Sequence, residues 1–143
     1  TFYIMGEKVK KVKPIKVELF ALCEGAFNNA GHLTIVHTID NFVTPKIPAR
    51  FTFGLAFKFF VQPEVEGEKE LSVAIKDSEG HDVIAPIVKA SMCIAKSDKE
   101  SHIALAVNMQ NVLFLSAGKH CVHLEIDGER FDDFSFEVIK HDK

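Results

Sequence analysis

The chain has 143 residues, with 17 Lys plus Arg against 20 Asp plus Glu, a formal net charge of −3 and 47% apolar residues. This composition is ordinary for a soluble globular domain, and the length fits one domain that buries a core of its own. No apolar run approaches the roughly 18 residues of a membrane-spanning helix, and no basic segment precedes an apolar one as in a secretory signal. With Met5 as the start of the chain, we therefore expect a cytoplasmic protein without membrane insertion.

The first residues are set apart by their charge. Residues 1–58 carry eight basic and four acidic side chains, whereas residues 59–143 carry nine basic and sixteen acidic ones. The basic excess comes from Lys8, Lys10, Lys11, Lys13 and Lys16. A nucleic-acid-binding arm would carry more Arg within a basic domain, so we expect no nucleic-acid partner. We predict a basic leader or an extra edge segment over 1–14 and a single β-sandwich domain over 15–143.

Beyond residue 15, apolar residues recur at every second position, which is typical of strands with one buried face. Such rows cover residues 17–23, 33–39, 51–61, 71–75, 92–94, 103–109, 122–126 and 134–138. Turn residues separate the rows, with hairpin signals at 77–80 and at Asp127-Gly128. About eight strands with no helical pattern between them predict an all-β antiparallel sandwich, immunoglobulin-like or jelly-roll-like.

One segment also carries a helix signal. Residues 97–100 read Ser-Asp-Lys-Glu, which fits the capping box of a helix start. The residues that follow, 103–109, alternate with period two rather than with the spacing of three and four that a helix needs. We therefore predict a strand there.

The composition is unusual in one respect: 13 Phe against 1 Tyr and 0 Trp. Phe51, Phe53, Phe57 and Phe59 fall on one face of the third row, and Phe buries a large area without a polar group that needs a partner. This predicts a dry interior.

His37 falls in the core row of the second strand, where we expect a buried neutral imidazole with one hydrogen-bond partner, or else a pH-sensitive or ligand-contacting group.

Several segments together resemble a known family. They are residues 16–26 (KVELFALCEGA), 31–40 (GHLTIVHTID), 107–112 (VNMQNV), 117–120 (AGKH) and 126–129 (IDGE), followed by a Phe-rich strand. Over residues 15–140 the chain resembles a family of small uncharacterised bacterial β-sandwich proteins, classed as a domain of unknown function. The closing hairpin also resembles that of immunoglobulin-like modules, and neither likeness carries an activity. The family resemblance implies a small residue near position 37 and an aromatic one at position 120, where this chain has His37 and His120.

The candidate metal ligands are Cys121 and His123, which share one face of a predicted strand, with His120 on the other. Two ligands are fewer than the three or four that zinc needs, so a metal site would require other histidines. We predict a surface Cys/His pair and no cofactor, with a metal-binding protein or small metal-dependent enzyme as an alternative. Cys23, Cys93 and Cys121 are odd in number and lie in apolar stretches, which favours reduced thiols acting as small hydrophobes.

No motif for nucleophilic catalysis is present, so we predict a non-catalytic binding or assembly module with a protein as its partner. The first and third strands are apolar on both faces, which requires a cover: we expect a segment of the chain itself, with a homodimer as the alternative. Phe20, Phe27 and Phe60 are the candidates for an outward-facing apolar patch. A carbohydrate-binding module is a further alternative, although the chain has no Trp and only Tyr3 as a tyrosine stacking platform.

Overall fold

The computed structural model describes residues 2–4, 7–9, 14–96, 99–131 and 133–141, with side chains from residue 14 onward except at 84–90. These ranges form twelve strands. The strands are β1 (Phe2–Ile4), β2 (Glu7–Val9), β3 (Ile15–Asn29), β4 (His32–Thr38), β5 (Asn41–Thr44), β6 (Ala49–Val61), β7 (Gly67–Lys76), β8 (Asp82–Ile94), β9 (Ser101–Phe114), β10 (Gly118–Ile126), β11 (Glu129–Arg130) and β12 (Phe134–Lys140). Nowhere in the described ranges is there a helix with the length and apolar character to cross a membrane.

Two sheets form the domain. One has the strand order β4-β3-β6-β9, and the other has the order β5-β12-β10-β7-β8 with β11 beside β10. Every pairing in them is antiparallel except that of β5 with β12, which is parallel. The predicted β-sandwich is confirmed, and β9 is a strand as its alternation predicts. The helix-capping signal falls partly on residues 97 and 98, which lie outside the described residues.

The predicted leader is described only in part. Strands β1 and β2 pair with each other as an antiparallel hairpin, with Phe2 opposite Val9. Residues 1, 5, 6 and 10–13 lie outside the described residues, and the division of the chain at residue 14 stays a prediction.

The core lies between the two sheets and is rich in Phe, as the composition predicts. Phe53, Leu55, Phe57 and Phe59 of β6 are fully buried. They pack in one cluster with inward-facing residues of the opposite sheet, among them Leu71, Val73, Ile75, Val122, Leu124 and Ile126. Burial of such side chains stabilises a fold by about 1.5–3 kcal/mol each, so this layer is the main source of stability.

Strand β3 contains a β-bulge that reverses its faces. Val17 pairs with Phe59 while Leu19 pairs with Lys58, so one extra residue, Glu18, lies between them. Such an insertion moves the following side chains to opposite faces of the sheet. Phe20 therefore packs against the core, and its prediction as an outward-facing residue is wrong.

Beyond the bulge, the end of β3 folds back over the outer face of its own sheet. The Asn108 side chain on β9 accepts from the Ala26 N–H at 3.0 Å and donates to the Ala26 carbonyl at 2.8 Å. Asn28 Nδ2 donates to the Ala104 carbonyl at 2.9 Å. A second cluster of small and aliphatic residues fills the space beneath: Cys23, Ala26, Ala56, Ala21, Leu33, Ile35 and Ala106. The β3–β4 hairpin is thus the segment of the chain that covers this apolar surface.

His37 does not lie in the core, so the prediction of a buried imidazole is wrong. Its side chain is exposed, and Nδ1 lies 3.1 Å from Glu24 Oε2. The cause is local: His37 has a positive φ of 45°, a left-handed conformation that interrupts the alternation of β4. Leu33 and Ile35, earlier in the strand, face the second cluster as expected.

Among the described residues, the side chain of His120 is fully buried although it is polar. Its ring stacks on Phe136 at a centroid distance of 5.5 Å and meets Phe114 edge-on at 5.3 Å. Nδ1 donates to the Gly118 carbonyl at 2.9 Å, whereas Nε2 has no partner. An aromatic ring without a polar edge would fit this cage, in line with the residue that the family resemblance implies at position 120.

We predict that Gly54→Ala destabilises the domain. A Cβ on Gly54 would lie 2.8 Å from Asn108 Oδ1, 3.1 Å from the Ala26 nitrogen and 3.2 Å from Cys23 Sγ. The overpacking should lower the free energy of unfolding by about 1–3 kcal/mol in urea titrations. Gly25→Ala is the matched control, because its Cβ would meet nothing closer than 3.8 Å; an equal loss in both variants would contradict the fold-back packing.

We predict that His120→Phe raises the free energy of unfolding by about 1 kcal/mol. The substitution removes a buried unpartnered nitrogen, which ordinarily costs roughly 1–3 kcal/mol, at the expense of one hydrogen bond to Gly118. His120→Ala should instead lower it by about 2–5 kcal/mol through the cavity left between the rings. Thermal or urea unfolding of both variants measures the difference, and a less stable His120→Phe variant would show that the orphaned nitrogen has a partner.

Candidate functional site

The structure places the three candidate aromatic residues in three different environments. Phe20 stacks on Phe134 at 4.2 Å in the core. Phe60 is half-buried on the outer face of β6 and meets the ring of His102 edge-on at 5.5 Å. Phe27 is 58% exposed on the β3–β4 hairpin. The three residues therefore do not form one patch, and Phe27 is the one that is open to a partner.

Phe27 belongs to the outward side of the hairpin, which we call the hairpin face and define as Gly25, Phe27, Thr34 and Val36. Phe27 pairs with Thr34, and Gly25 pairs with Val36. A Cβ on Gly25 would lie 3.8 Å from the Phe27 ring, so the ring leans along the strand toward the exposed Val36.

The hairpin is held at its tip and along its inner side. Ala30 and Gly31 both have positive φ, 53° and 84°, as in the two-residue turns that match the twist of hairpins. The Gly31 N–H donates to Asn28 Oδ1 at 3.0 Å. With Ala26 bonded to Asn108 below, Phe27 is presented on a rigid support. Sequence reasoning missed Asn108, although an Asn within an apolar strand was a signal.

A second group of interacting polar side chains lies on the outer face of the other sheet. His123 Nδ1 lies 2.8 Å from Asp133 Oδ1. Arg130 donates to the same carboxylate through Nε at 3.2 Å and Nη2 at 2.7 Å, and its Nη2 also contacts His123 Nδ1. A guanidinium and a carboxylate thus fix the orientation of this imidazole.

The His123 group borders a shallow hollow of about 520 Å³. Its lining comes mainly from β7 and β10 and includes Ser72, Ala74, Lys76, Glu125 and Arg130. Cys121 precedes His123 by two residues on β10, while His120 is buried on the opposite face, as the alternation predicts. Within the described residues no three His, Cys, Asp or Glu side chains are grouped as metal ligands would be. The metal-binding alternative stays a prediction without a ligand set.

The ionisation of Asp133 makes the stability of the fold depend on pH. Desolvation raises the pKa of its carboxyl group, but the hydrogen bonds and charges of Arg130 and His123 together outweigh it and leave the pKa below its ordinary value. A depressed pKa in the folded state contributes stability above the unfolded pKa of about 3.9, and this contribution is lost as the pH falls through the folded value.

We therefore predict that Asp133→Asn makes the stability of the protein less dependent on pH in the acidic range. The wild-type protein should be the more stable one at pH 7, and the difference should shrink as the pH falls below about 4. Melting temperatures between pH 7 and pH 3 measure this. Glu137→Gln, an exposed carboxylate on the neighbouring strand, is the control, and parallel curves for wild type and Asp133→Asn would contradict the prediction.

Comparison with known proteins bears on the fold and on the family. Among curated proteins, none matches the chain. A β-glucosidase from Listeria innocua resembles it with a TM-score of 0.52 at 10% identity, over 90% of this chain and 16% of that one. The Pseudomonas fluorescens alkylpurine DNA glycosylase AlkC, bound to DNA containing an abasic site analog, gives 0.48 at 15% identity over 88% and 30%. An immunoglobulin-like protein from Pseudomonas aeruginosa gives 0.41 at 12% identity over 87% and 95%.

The chain spans less than a third of either enzyme, so these likenesses concern the fold alone. With two packed sheets and no helix in its described part, the domain is an all-β sandwich. Residues 18–139 match the model of a family of unknown function, DUF6941. The chain belongs to this family.

Proposed function

We propose that this domain is a non-catalytic protein-binding or assembly module and that it contacts its partner through the hairpin face. The observation that carries the proposal is the exposure of Phe27, 58% open to solvent on a hairpin that is bonded to the sheet below. A large aromatic side chain held in one place by rigid backbone is typical of the residues that dominate protein interfaces.

The surroundings of Phe27 favour a protein partner. Val36 and Gly25 extend the apolar area, and Thr34, which lies opposite Phe27, gives it a polar edge. An apolar centre with a polar rim is the usual anatomy of a protein interface. Carbohydrate-binding platforms ordinarily use Trp or Tyr, and the chain has no Trp and a single Tyr, which favours a protein over a glycan.

The outer face of the second sheet favours a non-catalytic role. His123 is oriented by Asp133, as a catalytic base would be, but such a base also requires a nucleophile or a bound water within reach. Neither Ser72, which lines the same hollow, nor Cys121, two residues earlier on β10, has a hydrogen bond to His123 among the side-chain contacts of the described residues. The absence of an enzymatic activity and the cytoplasmic location stay predictions.

The test first identifies a partner in an extract of the source organism, by crosslinking it to a photoreactive amino acid placed at position 27. Calorimetry then compares the affinity of wild type, Phe27→Ser and Val43→Ser for that partner. We expect Phe27→Ser to weaken binding at least about tenfold, because truncation of a buried aromatic anchor ordinarily costs 2 kcal/mol or more. Unfolding midpoints equal to the wild-type value would show that the variants are folded.

Val43→Ser is a matched control, because Val43 on β5 is 56% exposed, almost as much as Phe27. We expect it to change the affinity less than about twofold. Equal affinities for wild type and Phe27→Ser would contradict the proposal, as would equal losses in both variants, which would indicate unspecific apolar contact.

A further inference from the structure

A second surface, formed by other elements than the hairpin face, lies at one end of the sandwich. The turn between β7 and β8 lies beside the end of β9 and the turn that follows it, and a hollow of about 490 Å³ separates them. We call this hollow the end groove. The acidic residues of the end groove come from the sheet that contains β7 and β8. The exposed leucines come from the end of β9, in the other sheet, and from the turn that follows it. The residues that the argument uses are Asp77, Glu79, Asp82, Val83, Leu113 and Leu115.

The apolar side of the end groove is unusually open. Leu115 is 69% exposed, the largest value among the large apolar side chains of the described residues, and Leu113 is 37% exposed. Val83 is half-buried beside them. A single exposed leucine is common, but neighbouring ones that line a concavity mark a contact surface.

The acidic side of the end groove is fixed in place. Asp77 Oδ1 accepts from the N–H groups of Glu79 and His81, each at 2.9 Å. The hydrogen bond from the His81 backbone, the largest contribution, lowers the pKa of Asp77, and that from Glu79 acts in the same direction. This carboxylate is therefore ionised throughout the physiological pH range. Its side chain is only 13% exposed, so it adds negative charge to the groove rather than a surface for direct contact.

The carboxylates outnumber the cations that face them. Lys76 Nζ lies 3.2 Å from Asp82 Oδ1. His81 Nδ1 lies 3.6 Å from both Asp77 Oδ2 and Glu79 Oε2. The side chain of Glu79 is nevertheless 77% exposed, so its carboxylate is open to a further partner. Negative charge in excess beside an exposed apolar floor is complementary to a ligand that is both basic and apolar.

We propose that the end groove binds a basic amphipathic segment of a partner protein. In this complex, apolar side chains of the segment pack on Leu113 and Leu115, and a Lys or Arg side chain meets Glu79, with the charge of Asp77 behind it. Charge complementarity selects the basic partner and steers its approach, and apolar burial supplies affinity. The contact is separate from the one proposed for Phe27, so each can fail without the other.

The probe is a short fluorescent peptide of alternating Lys and Leu, titrated with the intact protein. We expect it to bind at least about fivefold more tightly than matched peptides of alternating Lys and Ser or of alternating Glu and Leu. Glu79→Lys should weaken binding at least about fivefold and reduce its dependence on salt, because screening acts on the exposed charges. Leu115→Ser should weaken binding by a similar factor while leaving the salt dependence unchanged.

Two variants elsewhere serve as controls. Leu19→Ser removes an exposed leucine from the first sheet, and Glu137→Lys reverses an exposed carboxylate on β12. Phe27→Ser should also leave peptide binding intact. The proposal is overturned if the Lys/Leu peptide binds no better than the Lys/Ser peptide, if it does not bind at about 1 mM protein, or if the control variants weaken it as much as Glu79→Lys and Leu115→Ser do.

Discussion

The extra residue in β3 is the constraint on which the rest of the structure depends. Before the bulge, the strand presents Ile15 and Val17 to the core. Because Glu18 is inserted between Val17 and Leu19, it presents Phe20 and Leu22 to the core after the bulge. The same shift gives the outer face small side chains, Ala21 and Cys23. A sheet face made of small residues lets another layer of backbone approach closely, and the end of β3 does so above Gly54. The hairpin face therefore exists because of an irregularity near the start of its strand.

The regular part of this fold could be predicted from the sequence. Alternation of apolar residues located eight strands, and Phe53, Phe57 and Phe59 of β6 are buried on the predicted face. The Asp127-Gly128 turn has positive φ at both residues, as its sequence predicts. Alternation is a reliable guide wherever one face is dry, because a slip of one residue would expose the whole row.

Where alternation is interrupted, the sequence carried no usable signal. The bulge of β3 moved Phe20 inward, and the left-handed backbone of His37 moved that side chain out. Short strands such as β5 and β11 gain their pairing from neighbours rather than from their own pattern. The candidate surfaces were harder to predict, because Asn108 contacts Ala26 and Leu115 lies across the end groove from Asp77, and the residues of each pair are far apart in sequence. Phe27 was identifiable as a candidate because it belongs to none of the predicted core rows.

Strand β5 has consequences for how the chain reaches this structure. It pairs in parallel with β12, so that Asn41 lies beside Glu137 and Thr44 beside Lys140. A ribosome must therefore release nearly the whole domain before the second sheet can be completed. Contacts this distant in sequence slow folding, to about milliseconds or seconds in sandwiches of this kind. During that interval the edge of the unfinished sheet is exposed, and loss of the last strand would leave β5 without the neighbour that orders it.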